Sequence, residues 1–293
     1  MESQAVQAAV SRYSDEEHTT WSKLFETQTQ LNESHAFGEW LAGAKMLKLD
    51  PNRIPQVRAT SEKVQALSGW RVTETNNAFL NNEQWFAFLR NKVFPATNYI
   101  RKPYELDFTP YPDLFHEYFG HMPLMCTGRI TALASLFAEA QYATPKEFEN
   151  GVGRVWWHTM EFGFVRENGV EKAFGAGLLA GKSDMLDGVA SEKLPFSLEE
   201  TFCTLKTVDD VQEKYFILES VGQLEKALAD YTEARRRGEP MPARIRGNFD
   251  HMEEIDKFNQ LAREKGYENY AALKRDLAAR NSLDKNSIHR PAA

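Results

Sequence analysis

The sequence is poor in cysteine, in long apolar runs and in basic charge. Each shortage excludes some classes of protein. Cys126 and Cys203 are the only cysteines, which suits a reducing cytosol with free thiols. There is no run of about 18 apolar residues, so we expect no membrane span. The first residues lack a basic region followed by an apolar one and do not resemble a secretory signal. We therefore expect a cytoplasmic protein without a membrane partner.

Positive charge is outnumbered by negative charge. The 35 Lys and Arg residues face 42 Asp and Glu residues, which gives a net charge of −7. Because phosphate contacts need a basic face, we expect no nucleic-acid partner. The hydrophobic content of 42% and the aromatic content of 12% are enough for a real core. A chain of 293 residues can form one large domain or two modest ones, and we expect a monomer or a small homo-oligomer.

The chain does hold potential metal ligands, in the segment from Pro112 to Pro123. His116 and His121 lie five residues apart there, and imidazole is a common ligand for zinc, copper, iron and nickel. Zinc peptidases place their two histidines four residues apart on one helix face. A spacing of five rotates the second histidine by about 140° on a regular helix. Both can reach one metal only if the turn distorts or ends, for which Gly120 offers a place, and the spacing argues against a zinc peptidase.

A third ligand is predicted at Glu161, in the apolar and aromatic stretch from Trp156 to Phe164. Burying an acid in such surroundings is costly unless it is paired or bound to a cation. Two histidines and one carboxylate form the facial triad of non-haem Fe(II) oxygenases, which leaves several positions open for O2, water or substrate. The alternative, ordinary core or surface histidines, leaves the buried acid unexplained. The three residues therefore predict a mononuclear iron site.

Several motifs occur together, in an order and spacing that are far more specific than any one of them. They are Arg53-Ile54-Pro55-Gln56, the run from Phe94 to Arg101, the histidine segment, the segment from Trp157 to Gly163, and Phe174-Gly175-Ala176-Gly177-Leu178-Leu179. This set resembles the pterin-dependent aromatic amino acid hydroxylases, and most of all the bacterial phenylalanine 4-hydroxylases. The resemblance runs from about Tyr13 to about Tyr231.

The resemblance implies a chemistry. Fe(II) would be held by His116, His121 and Glu161, and a tetrahydropterin would act as the two-electron donor with O2. The substrate would be an aromatic amino acid, with L-phenylalanine to L-tyrosine as the leading expectation. Tryptophan, another ring position or a non-standard aromatic amino acid stay open. From other classes, a zinc hydrolase with Glu117 as base and a non-catalytic homologue also stay open.

The resemblance also assigns further residues to the site. On the substrate side, Arg101 would grip the substrate carboxylate in a two-pronged way. The other substrate-side positions are Thr109, Pro112, Asp113 and Trp157. On the pterin side, Trp85 occupies a position where the family usually stacks a phenylalanine, and Glu117 matches an acid near the pterin.

Three positions depart from the family pattern. Ala180-Gly181 replaces two serines, one of which contacts an iron-ligand histidine in the family. Trp156 stands where a tyrosine near the iron is usual. His158 replaces an apolar aromatic residue and could place a further polar group near the site. Changes around a ligand can alter metal affinity and ligand orientation, so we expect an unusual pocket.

The sequence predicts a mainly α protein with a single aromatic amino acid hydroxylase-like catalytic domain, a short β ribbon and a C-terminal helical extension. The expected divisions are a flexible N-terminus over 1–12, the iron and pterin domain over 13–234, and a polar helical extension over 235–293. Ser14 is the expected cap of the first helix. Other expectations are a strand from Trp70 to Thr73, a long helix over 145–167, irregular chain over 171–194, the ribbon near 192–208, and polar helices over 250–265 and 268–280.

Overall fold

The computed structural model describes residues 13–75, 80–109, 112–207, 211–249 and Gly266. Helices dominate it, as predicted. The α-helices are α1 (Asp15–His35), α2 (Gly38–Leu47), α3 (Val57–Ser68), α4 (Asn82–Arg90), α5 (Met122–Met125), α6 (Gly128–Ala143), α7 (Glu149–Trp156), α8 (Ala176–Ala180), α9 (Lys182–Ala190), α10 (Leu198–Cys203), α11 (Val221–Arg236) and α12 (Ala243–Phe249). A 3-10 turn spans Lys146–Phe148, and two π-helical segments, the first π turn (His116–His121) and the second π turn (Trp157–Glu161), complete the helical part.

The first helix begins where the sequence predicts. The Ser14 side chain accepts a hydrogen bond from the backbone N–H of Glu17, and the Glu17 side chain accepts one from the backbone N–H of Ser14. This reciprocal pair satisfies two N–H groups that a helix start would leave unbonded. The predicted cap is therefore confirmed.

The strands form two small sheets. Strands β1 (Arg71–Thr75) and β2 (Val93–Thr97) pair in parallel. The second sheet has the order β4-β3-β6-β5, with β3 (Phe164–Glu167), β4 (Val170–Ala173), β5 (Lys193–Pro195) and β6 (Tyr215–Leu218). Within it β3 runs antiparallel to β4 and parallel to β6, which also pairs in parallel with β5. The strand expected near Trp70 is present as β1.

Three segments differ from the expectations. The helix expected over 145–167 ends at Glu161, and β3 follows from Phe164 because this stretch pairs with β6. The supposedly irregular stretch over 171–194 contains β4, α8 and α9. Of the ribbon expected near 192–208, β5 is present and pairs with β6, and α10 occupies the chain between these two strands.

The chain divides into two compact units, Met1–Ile245 and Arg246–Ala293. The predicted boundary after residue 234 falls inside α11, so the end of the catalytic domain stays a prediction. The expected flexible N-terminus and the two polar helices beyond residue 249 lie outside the described residues. Cys126 and Cys203 are both free. Among the described residues, no helix has the length and apolarity needed to cross a membrane.

The first π turn is packed against α1 and α2 through aromatic rings on its buried side. Phe115 and Phe119 stack with ring centroids 4.8 Å apart, and Trp21 and Trp40 each lie 5.3 Å from one of them. The indole N–H of Trp40 donates to the backbone oxygen of Gly120 at 3.0 Å. The turn that carries both histidines is therefore held by a buried aromatic cluster and by a hydrogen bond from α2.

Helix α8 is held against this turn at close range. Gln28 and Asn32 of α1 both donate to the backbone oxygen of Leu179, at 3.0 and 2.9 Å. A Cβ atom at Gly120 would lie 2.7 Å from the backbone oxygen of Ala176. Only glycine at position 120 lets the two segments approach this closely.

Gly120→Ala should destabilise the fold, because the added methyl group meets backbone that cannot move away easily. We expect a loss of about 1–3 kcal/mol in the free energy of unfolding, measured by urea denaturation. Gly128→Ala, in α6, is the matched control because an added Cβ there meets nothing within 4 Å. Equal stability of the two variants would contradict the close packing of α8 on the first π turn.

Candidate active site

The first π turn places both histidines on one side of the helix. Its backbone bonds span five residues, as in the bond from the N–H of Met122 to the oxygen of Glu117. A π-helical turn pairs residues i and i+5, so His116 and His121 fall next to each other, with ring centroids 4.8 Å apart. The distortion that the five-residue spacing demands is present as a π-helix, and Gly120 lies within it.

The second π turn brings Glu161 to the two histidines. Its Oε2 atom lies 3.3 Å from Nε2 of His116 and 3.2 Å from Nε2 of His121. One ligand atom from each residue lies within 4.8 Å of the others. Among the described residues no other group of three or more His, Cys, Asp or Glu side chains is close enough to hold a metal ion.

The electrostatics of this cluster favour an ionised carboxylate. Burial raises the pKa of Glu161, but the adjacent His121 and His116 outweigh burial and hold that pKa below its usual range. Burial lowers the pKa of His121, whereas the hydrogen bond with Glu161 raises the pKa of His116 despite burial. The donor set of two imidazole nitrogens and one carboxylate oxygen fits a non-haem Fe(II) ion.

A single cavity contacts the cluster and most of the residues expected at the site. Its lining includes the three candidate ligands, together with Trp85, Arg101, Thr109, Pro112, Glu117, Trp157, Phe162, Ala180, Gly181, Asp184, Lys206, Thr207 and Gln212. The structure thus brings together nine of the ten residues predicted from the sequence. Asp113 is the exception, because it lies behind Arg101.

Asp113 acts on the cavity through Arg101. It is fully buried and accepts hydrogen bonds from Nε and Nη2 of Arg101, each at 2.9 Å. Burial raises its pKa, but the Arg101 guanidinium outweighs burial and holds the pKa below the usual range. Asp113 also accepts a hydrogen bond from the backbone N–H of His116 at 3.0 Å. One carboxylate therefore fixes both the arginine and the start of the first π turn.

The pterin-side candidates are both in the cavity wall. Trp85 lies edge-on to Trp156, with ring centroids 5.5 Å apart. Glu117 is only 4% exposed, and burial raises its pKa to about 8. It lies outside the cluster of three candidate ligands.

Trp157 is anchored at the cavity wall by a chain of hydrogen bonds. Its indole N–H donates to Oε1 of Gln212 at 2.7 Å, and the Gln212 amide donates to the backbone oxygen of Thr207 at 2.7 Å. The sequence reasoning missed Gln212, since a lone glutamine carries no motif. The anchor fixes the ring of Trp157 in the cavity wall.

Asp184 is a second residue that the sequence reasoning missed. It is 8% exposed and lines the cavity, and burial raises its pKa to about 6. A Cβ atom at Gly181 would lie 2.5 Å from its Oδ2 atom. The departure at Gly181 therefore makes room for the Asp184 carboxylate. In sequence, Asp184 looks like an ordinary acid in the first turn of a helix.

His158 does not point into the cavity, contrary to the expectation of a further polar group near the site. Its Nε2 atom lies 3.2 and 3.1 Å from the backbone oxygens of Thr204 and Leu205, so its N–H donates to both. Burial lowers its pKa to about 4. His158 therefore binds the backbone that follows α10 and is not available to a ligand in the cavity.

Fold and site together define a mainly α protein in which two histidines and one carboxylate could hold one metal ion at a cavity. The comparisons with known proteins give the family. Residues 4–269 match the model of the biopterin-dependent aromatic amino acid hydroxylases. The chain belongs to this family and is an aromatic amino acid monooxygenase. Membership leaves the zinc-hydrolase alternative without support.

Curated relatives agree with this assignment. The phenylalanine-4-hydroxylase of Chromobacterium violaceum is 31% identical over 229 residues, which cover 75% of this chain and 75% of the relative. The phenylalanine-4-hydroxylase of Mesorhizobium japonicum is 33% identical over 220 residues, covering 73% of this chain and 79% of the relative.

Solved structures show the same fold. The Chromobacterium violaceum phenylalanine hydroxylase with bound iron(III) and oxidised 7,8-dihydrobiopterin matches with a TM-score of 0.70 at 29% identity, covering 78% of this chain and 85% of that chain. The phenylalanine hydroxylase of Legionella pneumophila matches with a TM-score of 0.70 at 30% identity, covering 78% and 94%.

His158 should make the fold less stable in acid. Its pKa is about 4 when folded and about 6.5 when unfolded. Between these values the unfolded chain binds a proton that the folded chain does not, so stability falls as pH falls from 6.5 to 4. The loss from this group is roughly 3 kcal/mol.

The measurement is the free energy of unfolding of the wild type and of His158→Gln across this pH range. Glutamine keeps an N–H donor for the two carbonyls but does not titrate. We expect the variant to lose less stability than the wild type on acidification. Parallel pH profiles would show that His158 is not the buried neutral group described.

Proposed function

We propose that the protein hydroxylates L-phenylalanine to L-tyrosine, using Fe(II) bound by His116, His121 and Glu161 together with a tetrahydropterin. The convergence of these three side chains at one edge of the cavity carries the proposal. Support for phenylalanine comes from the relatives, which are named as phenylalanine hydroxylases. We also propose a cytoplasmic location, which agrees with the two free cysteines.

Iron and tetrahydropterin, when bound, supply the two-electron reduction of O2 that places one oxygen atom on the ring. The protein's own residues would bind and orient the substrate and the pterin, and would exclude water from the cavity. His116, His121 and Glu161 would hold the iron at the wall of the cavity that would take the substrate, and a set of two histidines and one carboxylate would leave coordination positions free for O2. Holding the reacting groups in one geometry removes much of the entropic cost of the reaction.

An amino acid carries two charges, and the cavity offers a partner for each. Asp113 occupies Nε and Nη2 of Arg101, and Nη1 has no partner among the described residues. We assign the substrate carboxylate to this remaining face of the guanidinium. The buried carboxylate of Asp184 would then bind the substrate ammonium group, because it lies in the same cavity wall as Arg101 and close enough to interact electrostatically with that guanidinium.

Aromatic side chains line the rest of the cavity and give the substrate ring and the pterin apolar surfaces. Trp157, fixed by Gln212, is proposed to contact the substrate ring together with Thr109 and Pro112. Trp85 and Glu117 are proposed to contact the pterin. Aromatic pairs prefer offset or edge-to-face contacts, which a ring held at one end can provide.

The activity test starts from metal-free protein loaded with Fe(II) under anaerobic conditions. Tetrahydropterin, air and one aromatic amino acid are then added, and products are identified by mass and retention time. We expect tyrosine from phenylalanine, with pterin oxidised in equal amount, and less product from tryptophan. The control is His116→Ala, which should lose iron and turnover together. Efficient turnover of tryptophan alone would overturn the substrate assignment.

Asp184→Asn tests the proposed ammonium site. We expect the KM for phenylalanine to rise about tenfold or more, since a hydrogen bond to a charged group contributes about 1.5–3 kcal/mol. Competitive inhibition by 3-phenylpropanoate, which lacks the ammonium group, should not weaken.

Asp187→Asn is the matched control on the same helix, since Asp187 accepts a hydrogen bond from Tyr215 and does not line the cavity. It should leave the KM unchanged. Equal weakening of phenylalanine and 3-phenylpropanoate by Asp184→Asn would place the ammonium group elsewhere.

A further inference from the structure

A short hydrogen bond divides the two oxygens of Glu161 between different partners. The indole N–H of Trp156 donates to Oε1 at 2.6 Å. The other oxygen, Oε2, faces His116 and His121 at 3.3 and 3.2 Å. The carboxylate is therefore oriented so that one oxygen points to the candidate metal position and the other is engaged by the indole.

This contact follows from the backbone of the second π turn. Trp156 ends α7 immediately before that turn, and Glu161 is the last residue of the turn. The bond from the N–H of Phe162 to the oxygen of Trp157, at 3.0 Å, spans five residues. Residues five apart become neighbours on a π-helical turn. Trp156 and Glu161 are thus related as His116 and His121 are on the first π turn.

The Trp156 indole that donates this bond is held in place by packing and carries no charge. Trp156 is only 5% exposed, and Phe137, Trp85 and Phe86 pack around its ring at centroid distances of 5.1, 5.5 and 6.3 Å. An indole N–H donates and never accepts. Oε1 of Glu161 is therefore the acceptor in this pair, and a hydrogen bond to an ionised acceptor is a strong one.

We propose that Trp156 is a positioning residue that makes Glu161 a ligand through Oε2 alone. With Oε1 engaged by the indole, the carboxylate fills one coordination position rather than two, and a further position stays open to the cavity. The inference rests on the proposed metal site. Trp156, which stands where the family usually has a tyrosine, would then have the role of orienting Glu161.

The test is Co(II) binding to the metal-free protein of 293 residues, with affinity measured by titration and the coordination of the bound ion by its visible absorption spectrum. Trp156→Phe removes the donor. We expect Co(II) affinity to fall by about 10- to 100-fold, as for other groups that orient a metal ligand. The spectrum should also change, since Oε1 is released to coordinate.

Trp70→Phe is the matched control. Trp70 is also buried, at 2% exposed, but it does not line the cavity. The same loss of ring size should leave Co(II) affinity and spectrum as in the wild type. An equal effect in both variants, or no effect in Trp156→Phe, would overturn the proposal.

A second variant guards against misfolding of Trp156→Phe. Replacement of Trp156 by 3-benzothienylalanine keeps the shape of the indole and removes only the N–H group. We expect this protein to show the wild-type circular dichroism and the weakened Co(II) binding of Trp156→Phe. Wild-type Co(II) affinity in it would overturn the role of Trp156, whereas a wild-type protein that binds no Co(II) would overturn the proposed metal site.

Discussion

The widened π-helical turn is the constraint on which the site depends. Two residues five apart on an ordinary α-helix point in different directions, whereas a π turn makes them neighbours. The chain uses this geometry twice, once for His116 and His121 and once for Trp156 and Glu161. Because the two π turns lie at the same cavity, the ligands from separate segments meet at one point, and the carboxylate arrives already oriented.

Hydrogen bonds from residues around the first π turn hold that turn and Arg101 in place. Asp113 ties Arg101 to the backbone N–H of His116, so the proposed substrate-binding cation and the first ligand share one buried carboxylate. Trp40 holds the oxygen of Gly120 from the other side. A buried ion pair is costly to break, because removal of one partner leaves an uncompensated charge. With the proposed roles of Arg101 and His116, substrate recognition and metal binding would depend on the same buried carboxylate.

The sequence predicts much of this site, because its signals are chemical and local. Spacing and burial single out His116, His121 and Glu161 as the candidate cluster, and the cap at Ser14 follows from its own side chain. The misses depend on distant parts of the chain. The helix expected over 145–167 ends early because β3 pairs with β6, and no local pattern reports that pairing. Asp184 lines the cavity beside Gly181, where an added Cβ would meet its carboxylate, and its own sequence position carries no signal for this.

The most direct test of the account is anomalous diffraction at the iron absorption edge from crystals grown with Fe(II) under anaerobic conditions. The account predicts one strong anomalous peak, bonded to Nε2 of His116, Nε2 of His121 and Oε2 of Glu161, with Oε1 still hydrogen-bonded to Trp156. A peak located elsewhere, or one that contacts only two of these three side chains, would contradict it.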